Sequence, residues 1–474
     1  MPQPLRINPL LDTDSYKETH PQVLPKTLTE AMNYYCNRGG IYSEMVFFGL
    51  QAQLIREFEG KFFTQQDLDE AYEDSQVHFY DGFPYPKAEW QYILDKYDGR
   101  LPLEIRAIKE GRPFNISNNG VNNVVFTVKS TDPKCAWLPG WAETRLMRNW
   151  YGSIVATQSR EVKKLAKEYL ALTADSDAGL PFMLHDFGAR AVSCTEQAAA
   201  GGGAHLINFL GTDTKIGMSF LHQYYGAPRV CGHSVPATEH QIMTMEGPSG
   251  EPNVVGRILE VYKDAPILSM VIDSYDDEYF VREIMGGIYR DQILHGKTKV
   301  VARPDSGDPS VKVPLLLDIL ADRFGYSVNS KGYKVLSPCV GLLWGDGMDI
   351  FSIRKLYETL QRTGWSVENV VVGMGGGLLH KGINRDTSKA AMKFCNVVLD
   401  GVDTPVWKAP KGDPTKASFK GRPALIYSEN TGLFSTVQDV TGNGVYGDQL
   451  ELVFRNGVVL RHQTLDEIRK LAEV

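Results

Sequence analysis

Three aspartates stand just behind short apolar runs: Asp273 after 267–272, Asp305 after 300–302 and Asp346 after 340–344. Carboxylates that converge from such positions can hold ribose hydroxyls or Mg²⁺. A further run, 370–372, is followed by Gly373 and the triplet Gly375-Gly376-Gly377. A glycine turn leaves backbone N–H groups open to a phosphate, and the positive end of a following helix adds to the attraction. The segment 381–422 carries nine basic residues (Lys381, Arg385, Lys389, Lys393, Lys408, Lys411, Lys416, Lys420, Arg422) against Asp386, Asp400, Asp403 and Asp413. Such an excess beside a glycine loop suits a polyphosphate ligand. Taken singly, each aspartate also fits a turn or cap, the triplet a packing turn, and the basic run a solvated face.

Other phosphate and catalytic signatures fail. Gly296-Lys297-Thr298 resembles the end of a P-loop, but Asp291 occupies the position of its upstream glycine. In Gly373-Met374-Gly375-Gly376-Gly377-Leu378 a leucine stands where a dinucleotide fingerprint needs its third glycine. Neither a G-x-S-x-G elbow nor an H-E-x-x-H pair is present.

The elements that must position these groups are read from texture. Six short apolar runs (182–184, 206–209, 267–272, 300–302, 340–344, 370–372) each end in Gly, Asp or Arg. Strands buried on both faces read as continuous apolar runs, and spacings of about 25 to 45 residues leave room for a strand, a loop and a helix. Polar groups just past the C-terminal ends of such strands are what an α/β barrel needs at its mouth. A helix is expected over 159–172, a hairpin at Asn456-Gly457 and a short helix from Leu465. With 474 residues, the chain is too long for one ordinary core. Hydrophobic residues at 43%, charged residues at 23% and a net charge of −7 describe a globular protein rather than a nucleic-acid binder. Segment 1–17 has Pro9, Asp12 and Asp14 where an export signal needs an apolar stretch, and no run is long enough to span a bilayer. Six scattered cysteines without a C-x-x-C pair read as reduced thiols, so a cytoplasmic location is expected.

Eight strings, in this order, resemble the nicotinamide phosphoribosyltransferase family among the type II phosphoribosyltransferases. They are Thr13-Asp14-Ser15-Tyr16-Lys17; His185-Asp186-Phe187-Gly188 with Arg190; Gly211-Thr212-Asp213-Thr214; Ser234-Val235-Pro236 with Glu239-His240; Asp273-Ser274-Tyr275-Asp276; Arg303-Pro304-Asp305-Ser306-Gly307; Gly345-Asp346-Gly347; and Gly375-Gly376-Gly377-Leu378-Leu379. Two departures stand out: Ala189 replaces a tyrosine, and the stretch before Arg385 is one residue longer.

The resemblance implies an irregular (β/α) barrel over 156–395 and a second α+β domain built from 1–155 and 396–474. It implies condensation of nicotinamide with 5-phosphoribosyl 1-pyrophosphate, with Mg²⁺ as cofactor and ATP as co-substrate. It also implies a homodimer with shared sites, and neither nucleic acid nor membrane as partner. Phe187 and Tyr16 of the other subunit are expected to stack on the pyridine. Asp213 is aimed at its 3-substituent, and Ser269 is assigned to substrate binding. Arg190 with the Gly375 and Gly376 backbone holds the 5′-phosphate, and Arg303 lies near ring and phosphates. Asp305, Gly345 and Asp346 hold the ribose. Arg38, Arg385 and Lys393 meet phosphates across the dimer. His240 is expected to accept a phosphoryl group from ATP, with Asp273 as its hydrogen-bond partner and Glu239 as the alternative. Nicotinate phosphoribosyltransferase is the nearest rival activity. A non-catalytic binding or signalling protein on the same scaffold is the rival from another class.

Overall fold

The computed structural model describes residues 7–412 and 416–474. Residues 1–6, part of the segment read for an export signal, and Asp413 of the basic segment lie outside the described residues. The chain forms two compact units. One comprises 158–222, 227–382 and 473–474; the other comprises the chain up to 157, then 223–226 and 383–472.

The first unit is α/β. Its sheet has six strands: β1 (Leu184–Asp186), β2 (Gly211–Thr212), β3 (Ile267–Val271), β4 (Lys299–Arg303), β5 (Val340–Trp344) and β6 (Val370–Met374). Their order is β3-β4-β5-β6-β1-β2, and every pairing is parallel. All five residues of β5 are buried, as the unbroken apolar runs require. The sheet curls, and the segment 233–238 spans its two edges. Gly211 bridges His233, and Ala237 bridges Ser269, both in parallel sense. Pro236 lies in this segment and cannot donate, but its carbonyl accepts from Ser269 N at 2.9 Å.

Four of the six apolar runs are strands, and a fifth, 182–184, only leads into one: Phe182 ends the 3₁₀ turn Leu180–Phe182, and β1 begins at Leu184. The run 206–209 misses altogether: Leu206 caps the helix Thr195–His205, and the strand is only Gly211–Thr212. Leu206, Ile207 and Phe209 are buried by packing beneath the sheet, so their apolar character reports burial and not strand. The helix expected over 159–172 runs Trp150–Thr173.

The second unit is built on a seven-stranded antiparallel sheet. The segment 391–395, expected within the barrel range 156–395, instead begins the strand Ala391–Leu399, which pairs along Leu28–Cys36 from Cys36↔Ala391 to Leu28↔Leu399. The two units divide between residues 382 and 383. The hairpin forms at Asn456 and Gly457, both at positive φ, between Glu451–Arg455 and Val458–Val459. A short helix, Leu465–Ala472, closes this part of the chain. The basic segment 381–422 lies almost wholly in this unit, and Arg422 spends its charge on Glu30 (2.7 Å) and Asp403 (2.6 Å).

His205 ties the helix layer to β2. Its Nε2 lies 3.0 Å from Gly211 O and its Nδ1 3.0 Å from Ser159 Oγ, so the neutral ring donates to the carbonyl and accepts from the hydroxyl. Burial pushes its pKa down from 6.5 to about 3. Between those values the unfolded chain binds the extra proton, so stability present above pH 6.5 is lost as pH falls toward 3. Urea unfolding of His205→Gln is therefore expected to lose less stability than wild type between neutral pH and mildly acid pH. The difference approaches roughly 1 kcal/mol per pH unit. Equal pH slopes in the two proteins contradict the assignment.

Candidate active site

Because the six strands run in parallel, their C-terminal ends meet at one rim. Asp273 follows β3, Asp305 follows β4, Gly345 and Asp346 follow β5, Gly375 follows β6, Phe187 follows β1 and Asp213 follows β2. Asp273 is at the centre of one cluster. Its Oδ1 lies 3.3 Å from His240 Nε2, while its Oδ2 accepts from Asp305 N at 3.0 Å and from Ser306 Oγ at 2.6 Å. The side chain of Asp273 is 6% exposed and that of His240 is 48% exposed, so the imidazole stands in solvent on a buried support. Glu239, the alternative partner, takes the cap position of the one-turn helix His240–Met243 without a capping bond from its side chain.

Phe187 anchors a second cluster. Its N–H donates to Met374 O at 2.9 Å, and its ring packs against Gly373 of β6. A Cβ at Gly373 would sit 2.2 Å from the ring. A Cβ at Gly345 would sit 3.3 Å from Asp305 Oδ1 and 3.6 Å from the same ring, so the Asp305 carboxylate and the Phe187 ring meet over one glycine. The Arg303 guanidinium lies 6.0 Å from the Phe187 ring centre and donates to Thr238 O. Burial lowers the pKa of Arg303, opposed by Asp305, Asp213 and Asp273, with the nearby charge of Arg190 adding to the lowering. For Asp305, burial raises the pKa, Arg303 lowers it, and Asp273 and Asp346 raise it. Hard oxygens crowded in this way suit a divalent cation that brings its remaining ligands on a polyphosphate. Among the described residues no group of three His, Cys, Asp or Glu is placed to hold a metal by itself.

Asp213 is exposed, and its N–H donates to Asp186 O at 2.9 Å. Its carboxylate accepts from the Ser234 hydroxyl, while the Thr214 amide goes to Thr212 Oγ1 at 3.0 Å. Ser269, on β3, has a buried hydroxyl without a partner, a group a ligand could satisfy. At the glycine turn the steric demands differ by position. A Cβ at Gly377 would meet Met348 O at 2.1 Å, whereas Gly375 and Gly376 have no neighbour closer than 3.4 Å. Their outer space is open. Arg190 is exposed on the turn Ala189–Ala191, and Ala189 is exposed beside it.

Tyr16, Arg38, Arg385 and Lys393 belong to the other unit. Tyr16 is 57% exposed on the 3₁₀ segment Ser15–Val23. Arg38 N donates to Ser388 O at 3.1 Å, and Arg385 pairs with Asp386 at 3.1 Å. Burial and then the Arg38 charge lower the pKa of Lys393, so these two cations share one region. Sequence reasoning gave no role to Ser306 or Ser234, although both stood in the matching strings. A serine directly after a strand-end aspartate was the available signal for Ser306.

Residues 182–458 match the nicotinate phosphoribosyltransferase (NAPRTase) family, and residues 8–105 match the nicotinamide phosphoribosyltransferase N-terminal domain. A nicotinamide phosphoribosyltransferase of Xanthomonas campestris pv. campestris is 40% identical over 471 residues, covering 98% of either chain. The chain belongs to the nicotinamide phosphoribosyltransferase family. Membership places it among the pentosyltransferases. A second relative of that name, from Acinetobacter baylyi, is 30% identical over 498 residues and covers 98% of this chain and 97% of its own. A solved nicotinate phosphoribosyltransferase from Porphyromonas gingivalis overlays at a TM-score of 0.32 with 14% identity, covering 84% of this chain and 92% of that one.

The contact of Gly373 with the Phe187 ring gives a test. Gly373→Ala should displace the ring and raise the KM for the pyridine substrate about tenfold or more, with the fold retained by circular dichroism. An unchanged KM in the folded variant would show that the pyridine does not rest on the Phe187 ring.

Proposed function

We propose that this enzyme condenses nicotinamide with 5-phosphoribosyl 1-pyrophosphate, giving nicotinamide mononucleotide and pyrophosphate, in NAD salvage. The full-length kinship to nicotinamide phosphoribosyltransferases supports the reaction. The observation that favours nicotinamide over nicotinate is Asp213, whose side chain bonds Ser234 instead of capping the helix that follows.

In this reading the pyridine lies on Phe187, with Tyr16 of the partner subunit on its other face. The ring nitrogen attacks the anomeric carbon, a C–N bond forms, and the C–O bond to pyrophosphate breaks with its electron pair leaving on the pyrophosphate. No proton moves, so no general base is needed. Catalysis comes from alignment and from charge placed around an oxocarbenium-like centre. Asp305 and Asp346 hold the ribose and face that developing positive charge. Arg190 and the open backbone of Gly375 and Gly376 hold the 5′-phosphate. Arg38, Arg385 and Lys393, supplied by the second copy of a homodimer, neutralise the pyrophosphate. Mg²⁺ bound to that pyrophosphate would meet Asp305 and Asp346 and would withdraw charge from the leaving group.

ATP enters through His240. With Nε2 toward Asp273, Nδ1 carries the free electron pair, and a neutral imidazole with one nitrogen hydrogen-bonded is a competent nucleophile. The expected site of action is the cytoplasm. No helix among the described residues is long and apolar enough to cross a membrane.

Pyrophosphate release on mixing the protein with nicotinamide, 5-phosphoribosyl 1-pyrophosphate and Mg²⁺ tests the reaction, and no release refutes it. For selectivity, an ionised Asp213 accepts from the amide NH₂ of nicotinamide, whereas nicotinate offers no donor and repels it. Like charges in a partly dry pocket cost roughly a few kcal/mol, about two to three decades of preference. Asp213→Ser should lower kcat/KM for nicotinamide and improve nicotinate relative to it; an unchanged ratio sinks the assignment. His240→Ala should abolish ATP hydrolysis and acid-labile labelling by ATP while leaving slow phosphoribosyl transfer. Undiminished labelling of the variant would place the phosphoryl group elsewhere.

A further inference from the structure

The two oxygens of Asp273 face different parts of the reaction. Oδ1 meets His240 Nε2 at 3.3 Å, and Oδ2 receives Ser306 Oγ at 2.6 Å and Asp305 N at 3.0 Å. The stretch 304–307 leaves β4 and ends at Gly307, whose φ of +100° lets the chain turn back sharply. Ser306 is exposed on this turn, yet its hydroxyl is tied inward to a side chain that is 6% exposed. A carboxylate has one negative charge to share between its acceptors. A stronger demand at Oδ1 therefore weakens what Oδ2 can offer the turn.

Phosphorylation of His240 makes such a demand. The Nδ1 electron pair attacks the γ-phosphorus of ATP, an N–P bond forms, and the bond from that phosphorus to the bridging oxygen breaks with its electron pair leaving on ADP. The Nε2 proton stays in place, so a neutral ring becomes a phosphoimidazolium facing Asp273. A hydrogen bond turns into an ion pair, and charge in the carboxylate is drawn toward Oδ1. Hydrolysis of the N–P bond reverses the change.

We propose that Ser306 is a positioning residue that carries the phosphorylation state of His240, through Asp273, to the turn that holds Asp305. The inference rests on the reading of His240 as phosphoryl acceptor and of Asp305 as ribose ligand. With His240 unmodified, Oδ2 holds the turn by two bonds and Asp305 is fixed. With His240 phosphorylated, the turn relaxes toward a second arrangement of Asp305. Linkage is reciprocal, so ribose held by Asp305 in turn shifts the equilibrium for phosphorylation of His240. Arg303, at the end of the same strand, and Asp346, just past β5, also act on the charge of Asp305. Without the serine hydroxyl, Asp273 grips the turn by one amide alone, and the phosphoryl group is lost to water without a matching transfer event.

The test measures ADP and pyrophosphate released in the same reaction, with nicotinamide, 5-phosphoribosyl 1-pyrophosphate and Mg-ATP, for wild type, Ser306→Ala and Ser306→Thr. The expected result is a rise of about fivefold or more in ADP per pyrophosphate for Ser306→Ala, with acid-labile labelling retained and a wild-type ratio restored by the threonine hydroxyl. A purely structural defect lowers both products together and leaves the ratio unmoved, which overturns the proposal. Equal ratios in wild type and Ser306→Ala at full activity overturn it as well. Failure of wild type itself to take up label refutes the reading of His240 and removes this inference with it.

Discussion

A six-stranded parallel sheet leaves two edges unsatisfied, and here the ribbon 233–238 answers both: Thr212 N–H donates to His233 O, and Thr238 N–H donates to Ser269 O, at 2.9 and 3.0 Å. The rim geometry depends on this closure. Parallel register brings the strand ends to one side, but only closure brings the ends of β2 and β3 round toward each other. The ribbon carries Ser234 to Asp213 and leads directly into His240, which it delivers beside Asp273. Thr238 adds a side-chain bond, its hydroxyl accepting from Val271 N at 2.9 Å, so the last turn before His240 is fixed to β3 by both main chain and side chain.

Burial at the rim is graded, and the chemistry follows the gradient. Asp186 lies beneath it, fully buried, with its pKa pushed up to about 6 mainly by desolvation, while its Oδ1 accepts from Gly188 N at 2.7 Å. That bond bends the chain just past β1, turning Phe187 toward the mouth and placing Arg190 on the following turn. Asp273 comes next, almost covered and holding three donors. Asp213 and His240 stand outermost in solvent. Groups that shape the backbone lie deepest, and groups that would meet substrate lie where ligands can reach them.

Much of the barrel was legible because strands buried on both faces leave continuous apolar runs, and Asp273, Asp305 and Asp346 mark where such runs stop. The run 206–209 misled because burial beneath a sheet and membership of a sheet select the same residue types. The closing ribbon was illegible for the opposite reason: His233, Ser234, Pro236 and Thr238 carry no strand pattern, and its pairing is made by single bridges. The boundary near 383 was missed because nothing in the composition of 391–395 shows which sheet it joins; the hydrogen-bond partners of Leu28–Cys36 settle that. The members of the rim were readable one by one. That Asp273 divides its two oxygens between His240 and the turn at 305–306 is a matter of ångströms, which spacing along a chain does not encode.

The ribbon also has a mechanical meaning. Ser234, which donates to the Asp213 carboxylate, and His240, which meets Asp273, stand six positions apart on one short span pinned at His233 and Ala237. A slip of that span by one residue would misplace both together, as teeth on a single key. The surroundings of Asp213 and of Asp273 are thus cut into the same piece of chain, so sequence drift in this seam cannot retune one without filing at the other.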